Sequence, residues 1–315
     1  MQSKTEFINT ALRKNLFVSI IYNLLIFSYR ARKINFLYKV WQFAWKFSLR
    51  FTDYYAVTKI HGSRAIVPVG HWYLLVLQNY PKFNHPLLYL VKYSISRKNR
   101  PLSIVDVGSA IGDTVLFIEE KYKGVHSFVC IDGDSQYNTI IKHNLDFLDE
   151  RFTLVNSLVS DKSEKIGMIE KENPTTGSST SANLADASSL DLLLLENKVI
   201  DIIKIDIDGF DGKALAGASD VLKLKSPSII FEWNVPLFLK TNNDIMLPFE
   251  SLEKCGYNDY FWFDNFGNFM FYRRGVSYEE LEVLAELSVR MFEVSGLHFD
   301  VVALKEGRGF IDFVS

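Results

Sequence analysis

From Leu102 onward the chain alternates short β-branched runs with stretches of helical spacing, and no other feature constrains its fold as much. "LSIVDVG" reads as a strand ending in a Gly turn, "DTVLFIEEKY" as a helix, "HSFVCID" as a strand, "SQYNTIIKHNLDFL" as a helix and "FTLVNSLV" as a third strand. Strands separated by helices of about 10 to 15 residues predict a parallel, doubly wound, Rossmann-like α/β sheet. Residues 170 to 189, "EKENPTTGSSTSANLADASS", interrupt the pattern. Their Ser, Thr and Asn content predicts a long loop, usually a functional or disordered feature in a compact domain. The alternation then resumes with helix "LDLLLLEN", strand "VIDIIKID", helix "DGKALAGASDVLKL" and strand "SIIFEW". "YNDYFWFDNFGNFMFYRR" predicts an antiparallel hairpin around Asn265–Asn268. A helix, "YEELEVLAELSVRMFEV", and a short closing strand, "FDVVALK", follow. The expected organisation is a helical, basic and aromatic segment over residues 1–100, a catalytic domain over 101–275, and a closing helix and strand over 276–315.

The first chemical motif is "DVGSAIGDT", Asp106 to Thr114, placed between a strand and a helix. Gly108 and Gly112 allow close backbone approach to a ligand, and Ser109, Asp113 and Thr114 frame the helix start, where N–H groups point outward. The spacing is not the dinucleotide G-x-G-x-x-G. An acid two residues before the first Gly would repel a pyrophosphate and suits a ligand with an ammonium group, which favours S-adenosylmethionine over NAD. Asp132, followed by Gly133, ends the second strand, where a carboxylate can hydrogen-bond both ribose hydroxyls.

The second motif is "DIIKIDIDGFDG", Asp201 to Gly212. Strand alternation puts Lys204, Asp206 and Asp208 on one face and Ile203, Ile205 and Ile207 on the other. The carboxyl end of a parallel strand opens on the ligand crevice, so Asp206 and Asp208 are expected at the site mouth, with Lys204 holding their charge. The next strand delivers Glu232, with Asn234 close behind. Asp211 reads as a first-turn helix residue favoured by the helix dipole. Asp201 and Lys165 read as ordinary surface charges. His71, in "VGHWY", is a further candidate base on the acceptor side.

In this order the motifs resemble those of the FkbM family of S-adenosylmethionine-dependent methyltransferases. "DVGSAIG", "CID", "SSLDLLL", "DIIKIDIDGFDGKALAGA" and "PSIIFE" follow the family's pattern over roughly residues 103 to 272. "LVSD", Leu158 to Asp161, also fits, so the resemblance adds Ser160 and Asp161 to the cofactor side. Asp132, Asp208 and Asp211 stand where the family usually has Glu. The carboxylate is kept, one methylene shorter.

The resemblance implies methyl transfer to an oxygen of a sugar, glycan or glycosylated metabolite, as in polysaccharide biosynthesis. A neutral hydroxyl must lose its proton or coordinate a cation to attack a sulfonium methyl. Two routes are open. Asp206 or Asp208, tuned by Lys204, orients or deprotonates the acceptor; or Asp206, Asp208 and Glu232 hold Mg²⁺ as oxygen ligands. The hydroxyls of Thr175–Ser181 are expected to line the acceptor or close over the cofactor. The alternatives are a nicotinamide-dependent oxidoreductase and a non-catalytic nucleotide-binding module. Against the first, the Tyr-x-x-x-Lys of Tyr55 and Lys59 precedes the Gly loop, the wrong order for a short-chain reductase.

The net charge of −2 excludes an overall pull toward nucleic acid, but it hides an asymmetry. Residues 1–50 hold nine Lys and Arg against Glu6 alone, so they carry +8 and the remainder −10. Leu16 to Phe27 is too short to span a bilayer, and no small-residue cleavage site follows it. Two cysteines, Cys130 and Cys255, fit neither a zinc spacing nor a disulfide framework. These features predict a cytoplasmic protein. Its basic, aromatic start either caps the sheet or makes peripheral contact with the inner face of the membrane.

Overall fold

Apolar residues on both faces of the inner strands require a sheet covered on both sides, and the computed structural model has that architecture. It describes residues 16–51, 54–124, 126–170 and 179–314. The strands are β1 Tyr55–Ile60, β2 Ser63–Pro68, β3 Ser103–Val107, β4 Ser127–Asp132, β5 Phe152–Asn156, β6 Leu158–Val159 and β7 Glu164–Glu170. They continue with β8 Ser179–Ser188, β9 Ile202–Ile205, β10 Ser228–Trp233, β11 Asp259–Asp264, β12 Phe269–Arg274 and β13 Phe299–Leu304. Eight form the central sheet in the order β12-β11-β13-β10-β9-β3-β4-β5. The run from β10 to β5 is parallel, whereas β13 enters antiparallel between β10 and β11. This is the expected doubly wound α/β fold with its antiparallel hairpin, β11–β12. The chain leaves β3 toward β4 on one side and returns as β9 on the other. The crevice at such a switch point, outside the carboxyl ends of the strands, is where ligands bind.

Strand alternation divides the core in two. Ile104, Phe128, Ile202 and Val302 face the side that also buries Tyr22, Trp41, Trp45 and the helix His85–Lys98. Val105, Ile203, Phe231 and Val301 face the side covered by the later helices, among them Leu247–Lys254 and Tyr278–Ser295. Residues 16–100 thus share their core with one face of the sheet.

Several local expectations are corrected. "FTLVNSLV" is two strands: β5 ends at Asn156, and β6 departs to pair with β8 in a separate three-stranded sheet. Much of the expected 170–189 loop is strand, because β8 pairs antiparallel with β7. Polar composition there reflects a small sheet, not a lack of regular hydrogen bonding. The helix over "DGKALAGASDVLKL" is broken into Asp211–Ala216 and Ser219–Leu224. A side chain on Gly217 would meet the Ser160 carbonyl oxygen at 2.4 Å, and the second piece is started by Asp191, which accepts from the amides of Asp220 and Val221. The hairpin β1–β2, absent from the sequence reading, turns on His61 and Gly62, both with positive φ.

Asp201 is not a surface charge. Its buried carboxylate accepts two 2.8 Å bonds from Arg100, one of 2.9 Å from the Ser103 amide, and lies 2.9 Å from Lys98 Nζ. It ties the start of β9 to the start of β3. Asp201→Ala should lower stability by about 2 kcal/mol, since charged hydrogen bonds are lost while the half-exposed cations regain water. Urea unfolding measures this. An unchanged midpoint would mean that the cluster contributes nothing.

Candidate active site

A cavity of about 500 Å³ opens over the carboxyl ends of the parallel strands. Gly108 lies at its floor with φ +83°. A Cβ on Gly108 would stand 1.9 Å from the Asp206 carbonyl oxygen, so the loop after β3 and the end of β9 touch backbone to backbone. Ala110 takes a left-handed φ of +43°, uncommon for a residue with a side chain. Its amide donates to Asp132 Oδ2 at 2.9 Å, and the Asp134 amide donates to Oδ1 at 2.9 Å. Asp132 therefore holds the Gly loop in shape from the end of β4.

Of the residues expected around the cofactor, Gly108, Asp113, Thr114, Asp132 and Gly133 line the cavity. Asp106, Ser109, Gly112, Ser160 and Asp161 do not. Asp106 is one residue inside the end of β3 and fully buried, and its carboxylate lies 3.6 Å from Lys204 Nζ. Burial pushes that carboxyl up, against the pull of Lys204. The Ser109 hydroxyl donates to the Asp106 carbonyl at 2.6 Å. Gly112 packs on Leu145, and Ser160 donates to Glu164 at 2.7 Å. These are loop-building residues. Burial also raises Asp113, to about 7, against Lys204 and with Asp106.

Lys204 sits between two carboxylates, at 3.1 Å from Asp206 and 3.6 Å from Asp106. Burial disfavours its charge, but Asp206 and Asp106 outweigh this and keep it an ammonium ion. The pairing with Asp206 was expected, whereas Asp106 was not. Asp208 lines the cavity, but not by strand alternation: β9 ends at Ile205, and Asp208 occupies a turn with φ +53°. Asp211 does begin a helix and accepts from the Gly209 amide at 3.2 Å. It is no solvated cap, however. Burial, then Glu232 and Asp206, hold its carboxyl well above the carboxylate range. The loop hydroxyls of Thr175–Ser181 lie outside the described side chains.

The far wall contains groups the sequence reading missed. His298, Asp300 and Asn265 line the cavity, and His298 Nε2 is 2.9 Å from Glu232 Oε1. Nδ1 donates to the Gly296 carbonyl at 2.8 Å. With both ring nitrogens facing acceptors, the ring is an imidazolium; burial opposes its charge, but Glu232 raises it to about 9. Burial likewise opposes the charge on Glu232, and His298 brings it below its ordinary value. Asp300 faces Glu232 across the β10–β13 ladder, and burial lifts it to about 7, with His298 opposing and Glu232 adding. The signal for these residues was topological. An antiparallel strand beside β10 starts where β10 ends, so the first residues of "HFDVVALK" arrive at the mouth.

Asp206, Asp208 and Glu232 do not fit a metal site. Among the described residues no group of three His, Cys, Asp or Glu is placed to hold an ion. An ammonium stands beside Asp206 and an imidazolium beside Glu232, where a metal site would need uncompensated oxygens.

Residues 71–87 form the roof, through His71, Trp72, Val76, Phe83 and Asn84. The hairpin tip docks on this roof: Phe266 stacks on Tyr80 at 4.0 Å, and a Cβ on Gly267 would collide with the Lys82 carbonyl.

No curated protein matches the chain. Among solved structures, it is similar to the methyltransferase FkbM of Methylobacillus flagellatus, at 15% identity and TM-score 0.42, over 75% of this chain and 61% of that one. The chain thus spans about three fifths of that relative's length. It is also similar to precorrin-6y C5,15-methyltransferase of Geobacter metallireducens, at 13% identity and TM-score 0.35, over 68% and 87%. A third likeness is the plantazolicin methyltransferase BamL in complex with a triazolic desmethylPZN analog and SAH, at 12% identity and TM-score 0.39, over 74% and 90%. The sequence profile described as Methyltransferase FkbM domain matches residues 106–258. That span begins at Asp106 of the Gly loop and includes Asp132, Lys204, Asp206 and Glu232, so residues 106–258 match a methyltransferase domain of the FkbM type.

Proposed function

We propose that the protein transfers a methyl group from S-adenosylmethionine to a hydroxyl of a sugar, glycan or glycosylated metabolite. One observation carries the reading: a single cavity contains the Gly108–Asp132 cradle after β3 and β4 and an acid–base cluster, Glu232, His298 and Asp300, on β10 and β13, with Asp206 at the end of β9 between them. A volume of about 500 Å³ is in the range of small-molecule sites. The residues suit the cofactor. Gly108 gives backbone access, and Asp132 stands at the strand end where a carboxylate can bind ribose hydroxyls. S-adenosylmethionine supplies an electrophilic methyl group when bound.

The chain's own part is to place the acceptor and take its proton. Asp300 is the base, because a half-buried carboxyl near 7 is matched to removing a hydroxyl proton at neutral pH. The Glu232–His298 pair fixes the wall beside it. Asp206, tethered to Lys204, and Asp208 orient the acceptor. Trp72 and Phe83 give apolar surfaces beside Asn84 and Asn265, a combination suited to a sugar ring.

Titration calorimetry with S-adenosylhomocysteine and with NADH tests the cofactor. S-adenosylhomocysteine should bind with a Kd of about 1–100 μM, in the range common for enzyme ligands, and NADH should not. Binding of NADH alone would replace this reading with an oxidoreductase.

A further inference from the structure

The helices Leu16–Ser28 and Asn35–Ser48 are turned the wrong way for water. Ser19, Tyr22, Trp41, Trp45 and Ser48 are buried, while Phe17, Phe36 and Phe43 are 73%, 73% and 75% exposed. Leu24, Phe27 and Phe47 are exposed beside them. A patch of this kind marks an interaction surface. Its charge identifies the occupant. Residues 16–51 contain six Lys and Arg and no Asp or Glu. Arg32 is used internally, donating to the Gln78 carbonyl, but Arg30, Lys33, Lys39, Lys46 and Arg50 are exposed among the apolar side chains. Arg30 and Arg50 lie over the rings of Phe27 and Phe47. Such side chains lay their stems on apolar surface and raise their charge to a headgroup layer.

We propose that these two helices form an interfacial binding site for an anionic phospholipid bilayer. Neither spans it: among the described residues no helix is long and apolar enough to cross a membrane. They lie in the plane of the interface, with phenylalanines in the acyl boundary and cations at anionic headgroups. A second copy of the chain is the competing occupant, but a two-fold contact would bring the same unbalanced cations face to face. The surface is joined to the cavity roof. The Tyr22 hydroxyl donates to the His71 carbonyl at 3.0 Å, and Trp45 meets Trp72 edge-on at 5.4 Å.

The test is flotation of the full chain through a density gradient. Vesicles of phosphatidylcholine alone are compared with vesicles containing phosphatidylglycerol, at low and high salt. The protein should float with the phosphatidylglycerol vesicles and be released by salt. Lys39→Glu with Lys46→Glu should lower partitioning roughly tenfold or more. Phe36→Ser with Phe43→Ser should do the same, with thermal melting unchanged in both variants. Failure to float overturns the proposal, as does equal flotation with both lipids. So does a dimer in sedimentation that the phenylalanine variant converts to monomer without any vesicle binding, because a second copy would then cover the face.

Discussion

Asp300→Asn should lower kcat by about 10²–10⁴-fold, the usual contribution of a positioned general base. The substitution keeps the shape of the side chain and removes its ability to take a proton. Affinity for S-adenosylhomocysteine should stay within about twofold of the parent, because Asp300 enters on β13, at the opposite wall from the Gly108–Asp132 cradle; a shift so small is near 0.4 kcal/mol. The pH profile separates a chemical from a structural role. A base must be ionised to act, so kcat/KM of the parent should rise as pH passes about 7. It should fall near 9, where His298 loses its proton and Glu232 loses its partner. The variant should lose the acidic limb and keep the alkaline one. If Asp300→Asn retains more than about a tenth of kcat with the limb intact, the loss is smaller than a general base supplies, and the base is another group in the cavity.

Gly108→Ala should be among the most damaging single methyl groups in the molecule. The added carbon would overlap the Asp206 carbonyl, which is backbone and cannot rotate away, at a φ that disfavours any side chain. Strain at such a position costs about 1–3 kcal/mol, and overpacking adds a similar ~1–3 kcal/mol. The expected loss is therefore roughly 2–6 kcal/mol, divided between unfolding and separation of β3 from β9. Denaturant unfolding reads the first part, and loss of S-adenosylhomocysteine binding by the remaining folded protein reads the second. Gly124 is the control, since a Cβ there meets nothing within 4 Å, although its φ is also positive. If Gly108→Ala behaves like Gly124→Ala, the close approach has no energetic consequence.

Much of this was legible in the chain because period and punctuation were strong. Strands β3, β4, β9 and β10 announce themselves by β-branched runs, and Gly108 and Asp132 by their place at strand ends. Local pattern was less informative where the fold depends on distant pairing. Asp106 and Lys204 lie on different strands, and only the β3–β9 register makes them neighbours. His298 and Asp300 carry no motif; their place in the cavity follows from where β13 inserts. Alternation was carried past its range at Asp208, because the strand had already ended. The 170–189 segment misled for a different reason: small polar residues form sheet when a partner strand supplies the hydrogen bonds.

The insertion of β13 has a consequence for how the protein is made. It fills the gap between β10 and β11, two strands that precede it, and pairs Phe299 with Trp233 across 66 residues of chain. While those residues are still in the ribosomal tunnel, β10 and β11 present raw edges. A nascent chain at that stage can hold most of the sheet yet lacks His298 and Asp300. Such long-range closure is slow, and exposed edges invite aggregation. The last wall of the cavity and the last seam of the sheet are therefore completed in the same event, so a chain stalled before residue 298 would lack that wall and be prone to associate.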